Sequence, residues 1–320
     1  MNFKKQIFGF MDMLRFKKLV PTRRQMLAQG ENKPLPQEYR TNVLAKKLHP
    51  GYMQVELVAA RPLTETIREL TFKRVDSDAF PFFRAGQYVS LQMKIGDSVV
   101  SRPYSIVSTP QQALENKLVL AVENAGFVSE YLNKSAKVGD RFVMTEPSGE
   151  FHYETLRDSK DIICIAGGSG ITPFLSMAGS MADGDESYSM LLFYGARTAA
   201  QLAYKAELEA LAERCKGLKV VYVLSDEEQP GCEKGFVSAE LMKKYTDLTD
   251  HTFFLCGPPA MYAFIAKELE PLNLPQKAVH RDAACCRDLP VEKPGLFKLT
   301  VHMRDEVYII PAKENETLLT

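Results

Sequence analysis

Four uninterrupted apolar runs in the second half of the chain limit its fold more than any other feature. KDIICIAGG, SMLLFYGAR, LKVVYVLSDE and HTFFLCGPP each end in small or polar residues. They alternate with helical segments such as ITPFLSMAGSM, AAQLAYKAELEALAER and PAMYAFIAKELEPL. Strands that are apolar on both faces belong in a parallel sheet covered by helices on both sides. Residues 159–282 therefore read as a doubly wound α/β domain, whose ligands bind at the carboxyl ends of the strands.

The region before it has a different rhythm. Residues 52–158 carry short runs rich in Val, Ile, Leu and Thr (MQVELVAARPL, TIRELTFKRV, GQYVSLQMKI, KLVLAVEN, DRFVMTEP) separated by Gly, Asp, Asn and Pro. Closely spaced strands of this kind argue for a small antiparallel β-barrel. The expected fold class is thus β plus α/β, a barrel followed by a doubly wound parallel sheet. No stretch approaches the roughly 18 apolar residues that a membrane span needs.

The termini are less regular. Residues 1–50 hold 11 Lys and Arg against 3 Asp and Glu, leaving 29 against 37 for the rest of a chain whose formal net charge is zero. Only the N-terminus is basic, so nucleic acid is not an expected partner of the body. Phe3, Ile7, Phe10 and Leu14 recur at helical spacing among Lys4, Lys5, Arg15, Lys17 and Lys18. A basic amphipathic helix of this kind can lie on an anionic membrane, although packing on protein is the favoured reading. Residues 21–51, with four prolines, look like an arm or linker. At the other end, 283–295 form a linker, LFKLTVHM and EVYIIPA alternate like a hairpin, and ENETLLT opens a helix. Two strands and half a turn bury no core, so a longer natural protein is expected. The six cysteines show no Cys-x-x-Cys or zinc-like spacing, which suggests reduced thiols and a cytoplasmic protein. No role follows for Cys285 and Cys286.

Four short motifs carry chemistry. Arg102-Pro103-Tyr104-Ser105 combines a guanidinium fork for phosphate, a ring for stacking on a planar heterocycle and a hydroxyl for a ring nitrogen. Gly126-Phe127-Val128-Ser129 runs into EYLNK, with Gly126 turning and Ser129 placed to cap a helix whose first N–H groups suit an anion. Gly167-Gly168-Ser169-Gly170-Ile171-Thr172-Pro173 follows an apolar strand and opens a helix. There glycine permits close approach of a pyrophosphate, Thr172 can cap and Pro173 suits the first turn. Cys256-Gly257-Pro258-Pro259-Ala260-Met261 ends another apolar strand, where a thiol can touch a ring face without blocking it. Each motif alone also has a plain packing or capping explanation.

Together and in this order, RPYS, GFVS, GGSGITP and CGPPAM resemble the ferredoxin-NADP reductase superfamily, in particular bacterial flavin reductases fused to a plant-type ferredoxin domain. The resemblance covers about Tyr52 to Asp282. It implies that Arg102 grips a flavin phosphate, Tyr104 lies against the isoalloxazine and Ser105 sits near its N5. It also implies that Gly126, Phe127, Val128 and Ser129 hold the flavin pyrophosphate, while Gly168, Gly170, Thr172 and Pro173 cradle that of the nicotinamide cofactor. Cys256, with Gly257, Pro258 and Met261 beside it, would stand where nicotinamide meets flavin. FAD is the expected flavin, with FMN as the alternative.

The choice between nicotinamide cofactors turns on Leu224-Ser225-Asp226-Glu227. NADPH-using relatives carry a Ser-Arg pair after this strand. Asp226 stands in place of that Arg and would repel a 2′-phosphate, so NADH is expected over NADPH, with Arg197 and Lys234 able to compensate. The segment Val279-His280-Arg281-Asp282 lacks the aromatic that shields the flavin in most relatives. The tail from Leu296 resembles the opening of a plant-type ferredoxin, whose two-iron two-sulfur cluster would need cysteines from a longer parent chain. The resulting expectation is an oxidoreductase in which Ser105, Tyr104 and Cys256 serve hydride transfer from NADH to flavin. Single electrons would then pass to an iron-sulfur acceptor, an appended ferredoxin domain or a separate protein. The alternative is a flavin-binding electron-transfer or regulatory subunit reduced by a partner instead of by NADH.

Overall fold

A computed structural model describes residues 3–30, 39–282, 296–303 and 306–313. The chain separates into two units, residues 1–45 and 46–320. In the first, α1 runs Phe3–Gln29 as one helix, straight through Pro21, and α2, Arg40–Leu48, begins in the first unit and ends in the second. The sequence led us to expect a break near residue 20 and an arm beyond it. Pro21 removes one intrahelical donor and its neighbours Val20 and Thr22 are β-branched, weak helix formers, yet the helix continues, with the Thr22 hydroxyl donating to the Lys18 carbonyl at 3.0 Å. Side chains from Met13 onward in α1 are exposed. Phe16, Leu19 and Val20 do not extend the stripe that ends at Leu14, because apolar and basic residues interleave around the cylinder beyond it.

The second unit begins with the strands β1 (Tyr52–Pro62), β2 (Ile67–Arg74), β3 (Tyr88–Ile95), β4 (Ser98–Ser105), β5 (Leu118–Glu123) and β6 (Arg141–Thr145). They form one antiparallel sheet in the order β4-β3-β6-β1-β2-β5. Its inner face follows from strand alternation: Met53, Val55 and Leu57 of β1, Leu70 and Phe72 of β2, and Val89 and Leu91 of β3 are all fully buried. Short helices α3 (Pro110–Leu114) and α4 (Phe127–Lys134) flank β5, and Leu132 of α4 is buried in the same core. Gly86 has φ +103°, and a Cβ there would stand 2.1 Å from the Phe151 carbonyl oxygen. This close approach draws the segment around Phe151 against the β3 entry.

The α/β part has the strands β7 (Asp161–Gly167), β8 (Ser189–Ala196), β9 (Leu218–Leu224), β10 (Cys232–Lys234), β11 (Thr252–Cys256) and β12 (Val279–Arg281). All are parallel, in the order β10-β9-β8-β7-β11-β12. Helices α5 (Thr172–Asp183), α6 (Lys205–Arg214), α7 (Ala239–Lys243) and α8 (Pro259–Leu269) cover it. Alternate strand residues divide the core. Cys164, Ala166, Phe254 and Cys256 pack with α5 and with barrel residues Ala121 and Phe151, whereas Ile163, Ile165, Phe253 and Leu255 pack with α7 and α8. The sheet order reverses between β7 and β11, which puts the crevice typical of such sheets at the ends of these two strands. The three-residue strands β10 and β12 escape sequence reading because a period of two cannot be established over so short a run.

A buried ionic knot closes the passage from barrel to α/β domain. The Asp158 carboxylate accepts from Arg157 at 2.8 and 2.9 Å, from the Glu154 backbone N–H at 2.7 Å and lies 2.8 Å from His280 Nε2. Burial raises the Asp158 pKa, but these hydrogen bonds outweigh it and leave the net shift downward. A depressed carboxyl stabilises the fold above its unfolded pKa of ~3.9 and loses that contribution as pH falls through the lower folded value. Asp158→Asn is therefore expected to lose about 3 kcal/mol near neutral pH and to flatten the acid limb of the thermal-denaturation profile. The hairpin β13 (Leu296–Met303) and β14 (Glu306–Lys313) forms as expected, paired from Leu296↔Lys313 to Met303↔Glu306. Cys285, Cys286 and the ETLL segment lie outside the described residues.

Candidate active site

The crevice is built from two glycine-lined turns packed against each other. After β7 the chain forms a 3₁₀ turn over Gly168–Ile171 and enters α5. After β11, Cys256 and Gly257 lead through Pro258 into α8. A Cβ on Gly170 would sit 2.1 Å from the Cys256 carbonyl oxygen, and one on Gly257 would sit 2.5 Å from the Met261 methyl carbon and 3.1 Å from the Gly167 nitrogen. At Gly170 glycine is required by backbone contact, whereas at Gly257 the nearest atoms are the flexible end of Met261. Gly168 additionally has φ +55°, and the buried Tyr194 hydroxyl supports its carbonyl at 3.1 Å.

The local roles of two hydroxyls differ from expectation. Thr172 does not cap α5; the preceding 3₁₀ turn brings its Oγ1 to donate to the Ser169 carbonyl at 3.1 Å. Ser129 lies inside α4 and not at its cap, and its Oγ accepts from the backbone N–H groups of Ala125 and Gly126 at 2.9 Å each. Those two donors are thereby satisfied within the loop. Gly126, Phe127 and Val128 open the helix, with Phe127 exposed and Val128 in the barrel core. Pro173 sits in the first turn of α5 as expected.

The barrel contributes the end of β4. Arg102 is exposed and its Nη1 donates to the Ser101 carbonyl at 2.8 Å. Tyr104, half-buried against the barrel core, has its phenol pushed up to about 12 by burial, opposed by the Arg102 charge, so it stays protonated at neutral pH. Ser105 reaches across to the α/β domain: its Oγ donates to Asp282 Oδ2 at 3.0 Å, and Cys256 Sγ lies 3.5 Å from the same oxygen. Asp282 is buried and held by its backbone N–H on the Leu255 carbonyl at 3.1 Å. The structure thus joins Ser105 and Cys256 through a carboxylate that sequence reasoning passed over as part of a segment lacking an aromatic.

At the far end of the crevice, Asp226 Oδ2 pairs with Arg197 Nε at 2.8 Å, and Ser225 Oγ donates to Asp226 Oδ1 at 2.6 Å. The Ser225 hydroxyl, then Arg197, hold the Asp226 carboxyl below its ordinary value, so it is ionised at neutral pH. Arg197, one of the two cations that could have met an extra phosphate, is engaged by Asp226. Met261 and Pro258 stay beside Gly167, lining the nearer part. Among the described residues no cluster of His, Cys, Asp and Glu could hold a metal ion, and no helix is long and apolar enough to cross a membrane.

Comparison with known proteins gives this architecture its chemistry. Residues 54–153 match an oxidoreductase FAD-binding domain and residues 164–267 an oxidoreductase NAD-binding domain. Ferredoxin–NADP reductase B of Sorangium cellulosum is 30% identical over 236 residues, covering 71% of this chain and 95% of that one. The reductase component of propane 2-monooxygenase from Mycolicibacterium goodii is 30% identical over 239 residues, covering 72% and 67%. Among solved structures, the Amycolatopsis cytochrome P450 reductase GcoB superposes with a TM-score of 0.63 at 27% identity, covering 72% and 68%. Phthalate dioxygenase reductase shares the fold with a TM-score of 0.63 at 21% identity, covering 84% and 79%. A flavin-binding barrel joined to a pyridine-nucleotide domain defines a flavin-dependent NAD(P)H oxidoreductase, which passes electrons from NAD(P)H to an acceptor. The chain belongs to the ferredoxin–NADP reductase-like family of FAD- and NAD-binding oxidoreductases.

Proposed function

We propose that the chain takes a hydride from NADH onto FAD at the Ser105–Asp282–Cys256 junction and hands single electrons to an iron-sulfur acceptor. The observation that carries this reading is that one buried carboxylate ties a barrel serine to the cysteine at the sheet's switch point. The residues fit both cofactors: Gly167, Gly170 and Gly257 let the turns after β7 and β11 pack closely at the switch point, so that the backbone of the Gly168–Ile171 turn can meet a diphosphate, and exposed Arg102 stands three residues before Ser105. When bound, the flavin accepts electrons in pairs and releases them singly. Ser105 holds its proton on Oγ, and Asp282 Oδ2 accepts that hydrogen bond and fixes the hydroxyl's direction. Burial of Cys256 and Asp282 excludes water from the junction. Gly168, Gly170, Thr172 and Pro173 bring backbone to the nucleotide diphosphate, and Gly126 to Ser129, with Arg102, serve that of FAD.

The acceptor follows from the company the chain keeps. Its relatives include oxygenase reductase components, and the phthalate dioxygenase reductase structure is described as carrying electrons to a [2Fe-2S] centre. An appended ferredoxin domain or a separate iron-sulfur protein would serve. The unbridged thiols of Cys164, Cys215 and Cys232 among the described residues support a cytoplasmic location. The helical spacing of Phe3, Ile7, Phe10 and Leu14 among basic residues in the first half of α1 supports peripheral contact with an anionic membrane. Liposome sedimentation should then depend on residues 1–20.

The chain loaded with FAD should be yellow, and NADH should bleach it anaerobically. A protein that takes up FAD but is bleached by neither NADH nor NADPH would instead be a subunit reduced by a partner. NADH should act better than NADPH, and Asp226→Ser should raise kcat/KM for NADPH about tenfold, since it removes a charge facing the 2′-phosphate and releases Arg197. Steady-state kinetics with both nucleotides checks this.

A further inference from the structure

Another carboxylate bridges barrel and α/β domain, and it stands where a negative charge is least expected. Glu123, the last residue of β5, accepts from Ser169 Oγ at 2.6 Å. Ser169 is part of the Gly168–Ile171 turn, and Glu123 Oε2 would be 4.0 Å from a Cβ on Gly168. Glu123 is solvent-exposed, so burial does not lock it in this pose. The turn offers backbone N–H groups and one hydroxyl to an anion, and the carboxylate has taken that hydroxyl.

We propose that Glu123 is an internal competitor of the nucleotide diphosphate. Its carboxylate occupies Ser169 in the free enzyme, must give up this hydroxyl when nucleotide binds, and repels the bound diphosphate, which speeds departure of the oxidised nucleotide. The inference rests on the reading of the Gly168–Ile171 turn as the diphosphate site. Two unit charges ~4 Å apart in water repel with an energy equivalent to about a fivefold change in affinity, and salt screens it.

The test is calorimetric titration of the FAD-loaded full chain with NAD⁺ at low ionic strength, comparing wild type, Glu123→Gln and Glu123→Ala. The glutamine keeps an acceptor for Ser169 and removes only the charge. Both variants should bind NAD⁺ about fivefold more tightly, the gain should shrink as salt is raised, and adenosine, which has no diphosphate, should bind all three proteins alike. NAD⁺ affinity that is unchanged or weaker in Glu123→Gln, with wild-type binding intact, overturns the proposal and leaves Glu123 as a simple tie between domains. If wild type gives no heat with NAD⁺ and is not bleached by NADH, the diphosphate reading of the turn fails and the proposal falls with it.

Discussion

Asp282→Ala is expected to slow reduction of bound flavin by NADH about a hundredfold while leaving flavin content unchanged, the scale at which positioned polar groups contribute to proton and hydride chemistry. The reason is geometric. Removing the carboxylate leaves Ser105 Oγ without this acceptor and takes away one partner of Cys256 Sγ. Asp282→Asn retains an oxygen to accept from Ser105 and should lose only about tenfold, because orientation survives while charge does not. Anaerobic stopped-flow measurement of flavin bleaching separates the two. Equal losses in both variants would mean that the negative charge, and not the direction of the hydroxyl, matters. No loss in either would remove Asp282 from the site.

Gly170→Ala acts on the fold of the crevice itself. Its Cβ would meet the Cys256 carbonyl oxygen at 2.1 Å, the carbonyl carbon at 2.5 Å and the Gly257 nitrogen at 2.8 Å, all backbone atoms of the neighbouring turn. Backbone cannot swing aside as a side chain can, so the two turns must separate. A cost of about 3 kcal/mol or more follows, seen as a melting transition of the α/β domain lowered by about 6–10 °C. NADH binding should be lost with it, whereas FAD should still load on the barrel. Gly184→Ala, at the end of α5 where nothing lies within 4 Å but φ is +85°, offers a contrast of strain without contact and should spare nucleotide binding.

Much of this arrangement is legible in the sequence because apolar runs and glycine turns are local signals. β7, β8, β9 and β11 are visible as uninterrupted hydrophobic stretches, and GGSGITP announces itself by following one of them. The residues that escaped are those whose meaning is made by the fold. Asp282 follows a three-residue edge strand without any pattern, and only sheet order β7-β11-β12 carries it to Ser105, 177 positions earlier in the chain. Glu123 reads as the polar end of a strand until the barrel presents it to Ser169. Thr172 and Ser129 are recognisable as hydroxyls near helix starts, but a 3₁₀ turn in one case and a helix that opens three residues earlier in the other reverse what they bond. Pro21 shows the opposite failure: a residue that breaks helices on average lies inside α1 between the weak helix formers Val20 and Thr22, and no local signal announces that the helix continues.

The central claim is that flavin and nicotinamide meet at the junction of Ser105, Asp282 and Cys256. A crystal structure of this chain with FAD and NAD⁺ bound tests it most directly. The account predicts flavin N5 within hydrogen-bonding reach of Ser105 Oγ, with Cys256 at the face where the nicotinamide ring approaches. A flavin whose N5 lies away from Ser105, or a nicotinamide site remote from Cys256, would contradict it.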